Sequence, residues 1–564
     1  MKVFKSVFMM LIVASIFLSA CGGAKTSDPY ASVPGNTFVI EAGAGAGLFL
    51  SADSDSGKKI TDTADFYSVF YSTNKVKNNL NLAGQKQYDK ANAFVLESPH
   101  WANIPGQTIA RSEMALGMTG DVMRSLGFTP GQPTYISKAQ MVDFINVGVL
   151  NLDVCNFTQC NSGELFYFTV INHFSGKSVM DRGLVDNSPE SQAIIQQTKE
   201  LVDKINITTS TDVDARYAFL DNKEGYNAIW TYEPEIANIN FNRVSQGLEP
   251  IYVVYVDGSI DASVTLFFSP YYQLTEADKQ DTQKVDQYKA ILDDFNKITT
   301  AFEKDETIRK AIADSGWRPA QYNAEPSLEV LKPEWGFVLN PQTSTGFAPK
   351  YETAMELNKT YTQAIRKPTI NIYINDDSGS MSPEFGIRGR DQLISASNFI
   401  FGPAAESEFL QSVDGDINKV YMFDSDCHAI GTVEGSNTQI LADQISSTYL
   451  GGGTSMFRCG VDALNDMAQF KQMCETTHNC SIIFMTDGVD NDCTDQQRDP
   501  CVSSANFNET RTTLILDFIP VYTIPVGGAD LSQIEQINNV IICRDAVSDI
   551  TAMIDCFKKI KGIR

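Results

Sequence analysis

Two apolar segments late in the chain, residues 370–374 and 481–485, each run into a turn made of carboxylates and hydroxyls. The first turn is Asp376-Asp377-Ser378-Gly379-Ser380-Met381 and the second is Thr486-Asp487-Gly488. Between them, Gly451-Gly452-Gly453-Thr454-Ser455 opens a helical stretch that begins near Cys459. Short apolar runs bounded by polar turns read as buried strands, and strands alternating with helices give a parallel sheet. In an open parallel sheet, ligands bind outside the carboxyl ends of the strands, where both of these turns stand. Asp376, Ser378, Ser380, Thr454 and Asp487 offer only oxygen donors. Such hard ligands suit Mg2+, or Mn2+ or Ca2+, and not zinc or copper.

The strand–helix rhythm around these turns predicts strands at 370–374, 420–423, 482–485 and 521–525. It predicts helices at 390–399, 459–471 and 531–538, with an amphipathic helix at 549–561 closing the chain. The same alternation runs from residue 37 to about 320. Apolar runs at 37–40, 93–96, 165–170, 228–232 and 251–255 stand between helical stretches such as 191–205 and 276–315, which predicts a mainly parallel sheet. A polar connector carrying Pro333, Pro341 and Pro349 separates the two regions. The expected organisation is a signal peptide at 1–20, a flexible tether at 21–36, a first domain at 37–325, a linker at 326–364 and a second domain at 365–564. Asn371 and Asn375 interrupt the first strand of the second domain, which leaves its burial open. The acids Asp377, Asp424, Asp426, Asp490 and Asp492 read as solvated loop charge rather than a second metal site.

The D-x-S-x-S…T…D order of Asp376, Ser378, Ser380, Thr454 and Asp487 resembles the von Willebrand factor A (VWA) domain and its metal-ion-dependent adhesion site. The likeness runs from about Lys367 to the C-terminus, and includes the stretch from Ile519 to Gly527. It implies that Ser378, Ser380 and Thr454 touch the metal directly while Asp376 and Asp487 act partly through water. It also implies a coordination position that a partner protein fills with an acidic side chain. In the first domain, Ala93-Phe94-Val95-Leu96-Glu97-Ser98-Pro99, the 137–146 stretch leading to Gly163–Thr169, Ala228-Ile229-Trp230-Thr231-Tyr232-Glu233 and Asp314-Ser315-Gly316-Trp317-Arg318-Pro319 resemble, in that order, bacterial extracellular solute-binding proteins. The implied fold class is α/β: a two-lobed periplasmic-binding-protein-like domain followed by a doubly wound, Rossmann-like VWA domain.

Two loops of the first domain offer a ligand site. Gly43-Ala44-Gly45-Ala46-Gly47 follows the first strand, where glycine permits close backbone approach and free N–H groups can face an anion. Ser175-Gly176-Lys177-Ser178 would place hydroxyls and a cation at a helix start. Both look like oxyanion loops, but a lone glycine-rich turn is non-specific and the plainer reading, a tight strand-to-helix turn, is preferred. Ser98, Thr169 and Tyr232 are cleft candidates by their place in the order of motifs. With Gly45, Ser175 and Ser178 they complete the candidate ligand set.

The N-terminus is an address. Lys2 and Lys5 precede an apolar run, residues 7–18, that is too short to span a bilayer. The run ends in Leu18-Ser19-Ala20-Cys21, which resembles a bacterial lipobox and implies cleavage before Cys21 and lipid attachment to its sulfur. The expected location is the cell envelope, facing periplasm or exterior, with the membrane held by lipid anchor only. Gly22 after the cysteine suits an outer membrane in a two-membrane bacterium. Ten of the eleven cysteines then remain, an even number, as expected for pairing in an oxidising compartment. Cys155/Cys160, Cys474/Cys480, Cys493/Cys501 and Cys543/Cys556 could each close a small loop, leaving Cys427 with Cys459.

The balance of 69 Asp+Glu against 44 Lys+Arg, a net charge of −25, carries no basic run of the kind that binds phosphate backbones. Nucleic acid is therefore not the expected partner. No nucleophile elbow, Walker A loop or outstanding Cys/His pairing is present, so no enzyme is expected. Two functions compete: a membrane-anchored protein that grips a protein partner through a divalent cation, and an ABC-transport-associated receptor for an oxyanion or other small solute with the VWA domain as a recruitment module.

Overall fold

The computed structural model describes residues 38–51, 66–71, 91–175, 188–207, 211–222, 225–269, 276–320, 325–344, 348–382, 389–402, 410–448, 451–491, 501–527, 529–543 and 556–558. It also describes the single positions 60, 76, 77, 80, 184, 274, 346, 405, 560 and 561. The chain forms two compact units that meet in sequence at Thr360 and Tyr361.

The first unit holds two six-stranded sheets. One contains β1 (Phe38–Gly43), β2 (Phe66–Tyr71), β3 (Ala93–Leu96), β4 (Gly106–Ser112), β11 (Ala262–Phe268) and β12 (Arg318–Pro319), in the order β12-β4-β11-β3-β1-β2. The other contains β5 (Met114–Met118), β6 (Thr134–Ser137), β7 (Leu152–Val154), β8 (Asn206–Ile207), β9 (Ala228–Tyr232) and β10 (Tyr252–Asp257), in the order β6-β10-β5-β9-β7-β8. The chain passes between the sheets at Glu113, joining β4 to β5, and at residues 258–261, joining β10 to β11. This is the two-lobed α/β architecture expected.

Three details of its elements differ from the sequence reading. The sheets are mixed, because the crossing strands β5 and β11 lie antiparallel to both their neighbours. Residues 165–170 belong to the Asn161–Ser175 helix, which is buried on all sides over its first eleven residues. A continuous apolar run has no period to separate a buried strand from a buried helix. The predicted 276–315 helix is two helices, Thr282–Lys304 and Glu306–Asp314, divided where Asp305 caps the second through the Thr307 and Ile308 amides.

The proposed linker is not a free connector. Leu331, Trp335 and Phe337 are buried in the core around β9 and β10, and Trp335 meets Phe241 edge-on at 5.1 Å. Arg318 forks onto Glu233 at 2.6 and 2.7 Å and also donates to the carbonyls of Val338 and Leu339. The described residues of 326–360 thus belong to the first unit.

The second unit is one six-stranded sheet of order β15-β14-β13-β16-β17-β18: Cys427–Glu434, Ile417–Phe423, Thr369–Asp376, Asn479–Thr486, Val521–Pro525 and Val540–Ile542. All pairings are parallel except the edge pair β14–β15. Ile370, Ile372 and Ile374 face one core with Phe457, Leu464 and Phe484, while Tyr373 faces another with Leu393, Ile400 and Ile483. Helices therefore cover both faces, the doubly wound arrangement. The edge strand β15 alternates polar and apolar too weakly to read, and the predicted 531–538 helix is only a single turn, Ile534–Gln536. The predicted 549–561 helix lies mostly outside the described residues. Asn371 and Asn375 are fully buried. Asn371 accepts from the Ser481 hydroxyl at 2.6 Å and donates to Thr369, so it ties β13 to β16 without breaking the strand.

Cys155–Cys160, Cys427–Cys459, Cys474–Cys480 and Cys543–Cys556 are disulfides, as the spacing suggested. Cys501 is disulfide-bonded as well, and Cys493 lies outside the described residues. Among the described residues no helix is long and apolar enough to cross a membrane.

Candidate functional site

β13 and β16 are neighbours that the chain reaches from opposite directions, so the crevice at their carboxyl ends is the switch point of the sheet. Asn375 pairs with Met485, which sets Asp376 against Thr486 and delivers Asp487 one residue beyond the strand. The Thr486 hydroxyl donates to Asp376 Oδ2 at 2.6 Å, and the Ser378 amide donates to Oδ1 at 2.9 Å. The Ser378 and Ser380 hydroxyls lie 3.0 Å apart, and Ser380 donates to Asp487 Oδ1 at 3.0 Å. Four of the five expected residues thus form one chain of oxygen contacts.

Thr454 belongs to the adjoining glycine turn. That turn is tied to the first by Gly379 N–H to the Gly452 carbonyl at 3.1 Å and Gly451 N–H to the Asp377 carbonyl at 3.0 Å. Gly451 and Gly452 have φ of 70° and 124°, a backbone that other residues rarely adopt. The Thr454 amide donates to Asn491 Oδ1 at 2.8 Å, and its carbonyl accepts from the Asn491 amide. Its hydroxyl makes no hydrogen bond to the other four residues among those described.

Burial and the nearby Asp487 push the Asp376 carboxyl up to about 6, and burial also raises Asp487. Among the described residues no Lys, Arg or His pairs with either. Two carboxylates brought together with hydroxyls and a backbone amide but no cationic side chain among the described residues need a proton or a cation. The donor set, two carboxylates and three hydroxyls, fits a hard divalent cation.

The acids read as solvated charge divide. Asp377 is buried against Arg390, which also donates to the Thr448 carbonyl. Asp490 is buried and accepts the Phe457 amide at 2.7 Å, which caps the Met456–Gln469 helix. Asp424 accepts the Asp426 amide and contacts His428 Nε2 at 3.2 Å. Each of these holds a loop in place, and Asp492 lies outside the described residues. Thr486, Arg390 and Asn491 went unread as supports because their partners are distant in sequence.

In the first unit the candidates scatter. Gly45 does not hold a free N–H, because it donates to Glu97 Oε1 at 3.1 Å. Ser98 is buried and donates to Asn161 Oδ1 at 2.6 Å, a direct bond between the two lobes. Thr169 is inside a helix with its hydroxyl on the Leu165 carbonyl, and gives nothing to the cleft. Ser175 ends that helix rather than starting one, and donates to the Asn172 carbonyl. Ser178 and Cys21 lie outside the described residues. Tyr232 is fully buried at the end of β9, its ring 5.3 Å from that of Trp317.

No protein-family model and no curated protein matches the chain. Solved structures similar to parts of it include a von Willebrand factor type A protein from Catenulispora acidiphila, with 15% identity and a TM-score of 0.25, covering 36% of this chain and 44% of that one. An ABC transporter protein from Clostridium perfringens shows 10% identity and a TM-score of 0.36, over 58% of this chain and 99% of that one. The periplasmic binding protein AfuA from Actinobacillus pleuropneumoniae, with fructose-6-phosphate bound, shows 10% identity and a TM-score of 0.37, over 59% and 99%. The chain thus spans less than half of the first of these and nearly all of the other two.

Proposed function

We propose that this is a lipid-anchored cell-envelope protein whose second unit binds a protein partner through a divalent cation held by Asp376, Ser378, Ser380, Thr454 and Asp487. The observation that carries the reading is the pair Asp376 and Asp487, joined through Thr486, Ser378 and Ser380 at the switch point of a doubly wound sheet. A cation there keeps a net positive charge to offer, since only two of the five ligands are charged, and an acidic side chain of a partner completes its coordination. The lipid on Cys21 places the unit at a membrane surface.

Calorimetry of the full chain with MgCl2 or MnCl2 tests the site. One ion should bind, and Asp376→Ala should weaken it by a factor on the order of ten or more, because one of two ligand charges is removed. Equal binding by wild type and variant would sink the proposal. Capture of a partner that survives EDTA would separate the metal from the interaction.

A second reading concerns the first unit, a receptor that closes on a small solute. Two lobes joined at Glu113 and at residues 258–261, with Ser98 and Asn161 bonded across them, support it. The transport machinery would then be the partner that the second unit recruits.

A further inference from the structure

Of the five expected ligands, Thr454 is the one whose hydroxyl, among the described residues, makes no hydrogen bond to the other four, so its place depends on what holds its turn. On one side the turn is tied to the Asp376 loop and to Asn491. On the other it rests on Asp424-Ser425-Asp426, the tip of the hairpin that joins β14 to the edge strand β15. The Ser455 amide donates to the Asp424 carbonyl at 2.7 Å, and the Gly453 amide to Ser425 Oγ at 2.8 Å. The Ser455 hydroxyl donates to the Ser425 carbonyl at 2.7 Å. Both residues that flank Thr454 are thus held by this tip. The fit is close, because a β-carbon on Gly453 would lie 3.1 Å from Ser425 Oγ.

The tip is in turn held through sulfur. Cys427, the residue after it, is bonded to Cys459. The Cys459 amide donates to the Ser455 carbonyl at 3.2 Å, in the first turn of the Met456–Gln469 helix. The disulfide therefore closes a ring that runs from the tip through the flanks of Thr454, along that helical turn and back. β15 pairs with β14 alone, so the hairpin has no second strand to hold it.

We propose that the Cys427–Cys459 disulfide is a redox gate on the cation site: oxidised, it keeps the Thr454 turn in place, and reduced, it slackens that turn and weakens the cation. The inference rests on the cation reading of Asp376, Ser378, Ser380, Thr454 and Asp487, and adds its regulation. A dithiol is the reductant. Cys459 is fully buried and Cys427 only partly, so the reductant's thiolate attacks Cys427 Sγ. The S–S bond breaks, and Cys459 leaves as a thiolate and takes a proton. The second thiol then displaces Cys427 as the reductant closes its own disulfide, so two electrons and two protons enter the pair. In a reducing cytoplasm the site would be slack, and export to an oxidising compartment would tighten it.

Reciprocity makes the gate testable on the wild-type chain. If the disulfide form binds the cation more tightly, the cation makes the disulfide harder to reduce by the same factor. The full chain is equilibrated in mixtures of reduced and oxidised dithiothreitol, with and without saturating MgCl2, and mass analysis of alkylated peptides reads each pair. MgCl2 should lower the midpoint of Cys427–Cys459 by about 30 mV for each tenfold in affinity. It should leave Cys474–Cys480, at the amino end of β16 and away from the site, where it is.

Calorimetry should show the double variant Cys427→Ser/Cys459→Ser binding Mg2+ on the order of tenfold more weakly, with the circular dichroism of wild type. Ca2+, which accepts longer and less regular oxygen contacts, should lose less. Ser425→Ala keeps the disulfide and removes the Gly453 bond. It should weaken Mg2+ in the same direction, and stands in if the double variant does not fold. A midpoint that MgCl2 leaves unmoved, while oxidised wild type binds the ion, would overturn the gate and keep the site. Equal movement of both pairs would overturn it too, because the cation would then be stabilising the unit as a whole. No binding by oxidised wild type would remove the gate together with the cation reading.

Discussion

Asp153 sits in β7 with both carboxylate oxygens unpartnered and its side chain out of water. Burial alone pushes its carboxyl up to about 8. In the unfolded chain the same group ionises near 4. Between those values the folded state keeps a proton that the unfolded state has released, so stability falls as pH rises through that window. One group contributes a slope of at most about 1.4 kcal/mol per pH unit. Asp153→Asn keeps the shape and removes the ionisation. Denaturant unfolding at pH 5 and pH 7.5 should therefore show wild type losing stability relative to the variant over that interval. Parallel curves for the two proteins would mean that Asp153 already ionises in the fold. Glu164 shows the opposite solution to the same burial. Lys77 at 3.2 Å, His100 at 3.0 Å, Trp101 and Asn358 surround it, and its carboxyl is held below its ordinary value by Lys77 and His100 against the cost of burial.

At the scale of elements, the segment between the predicted domains carries the sharpest difference. Trp335 is buried against Phe241 with the Lys332 ammonium 4.8 Å from its ring centre, and Asn358, on the Tyr351–Thr360 helix, closes the Glu164 cluster. Trp335→Ala should cost about 3–5 kcal/mol of first-unit stability, read by denaturant unfolding, whereas a true linker would lose nothing measurable. The reason this was not legible is local. Three prolines in a polar stretch signal turns, and nothing in a sequence says what a turn packs against. Residues 165–170 failed for a related reason, since a helix buried all round shows no polar face. The oxygen-rich turns at 376–380 and 486–488 were legible because both are set by neighbours in sequence and by strand ends. Their supports, Arg390 on Asp377 and Asn491 on Thr454, are distant in sequence and carry no motif. The Gly45 amide could be weighed as an anion site because the side chain that takes it, Glu97, lies 52 residues away.

Over the whole molecule the disulfides are unequally shared. The second unit has three among the described residues, closing separations of 32, 6 and 13 residues, while the first unit has one of 5. On the chain-entropy account, a loop of five or six residues stabilises by about 2 kcal/mol and one of 32 by nearly 4 kcal/mol. Reduction therefore removes far more from the second unit. The Cys427–Cys459 bond matters most, because it fixes the edge strand β15 to the helix that follows the Thr454 turn. The first unit depends instead on its two sheets, its buried carboxylate clusters and the packed segment that ends at Thr360. Calorimetric scans with and without dithiothreitol should thus show one transition falling by many degrees and another nearly fixed. The transition that falls should be the one that MgCl2 raises in the oxidised protein, since a ligand stabilises only the unit that binds it. Equal shifts in both transitions on reduction would overturn the unequal disulfide contribution, and a magnesium response confined to the redox-insensitive transition would place the cation outside the second unit.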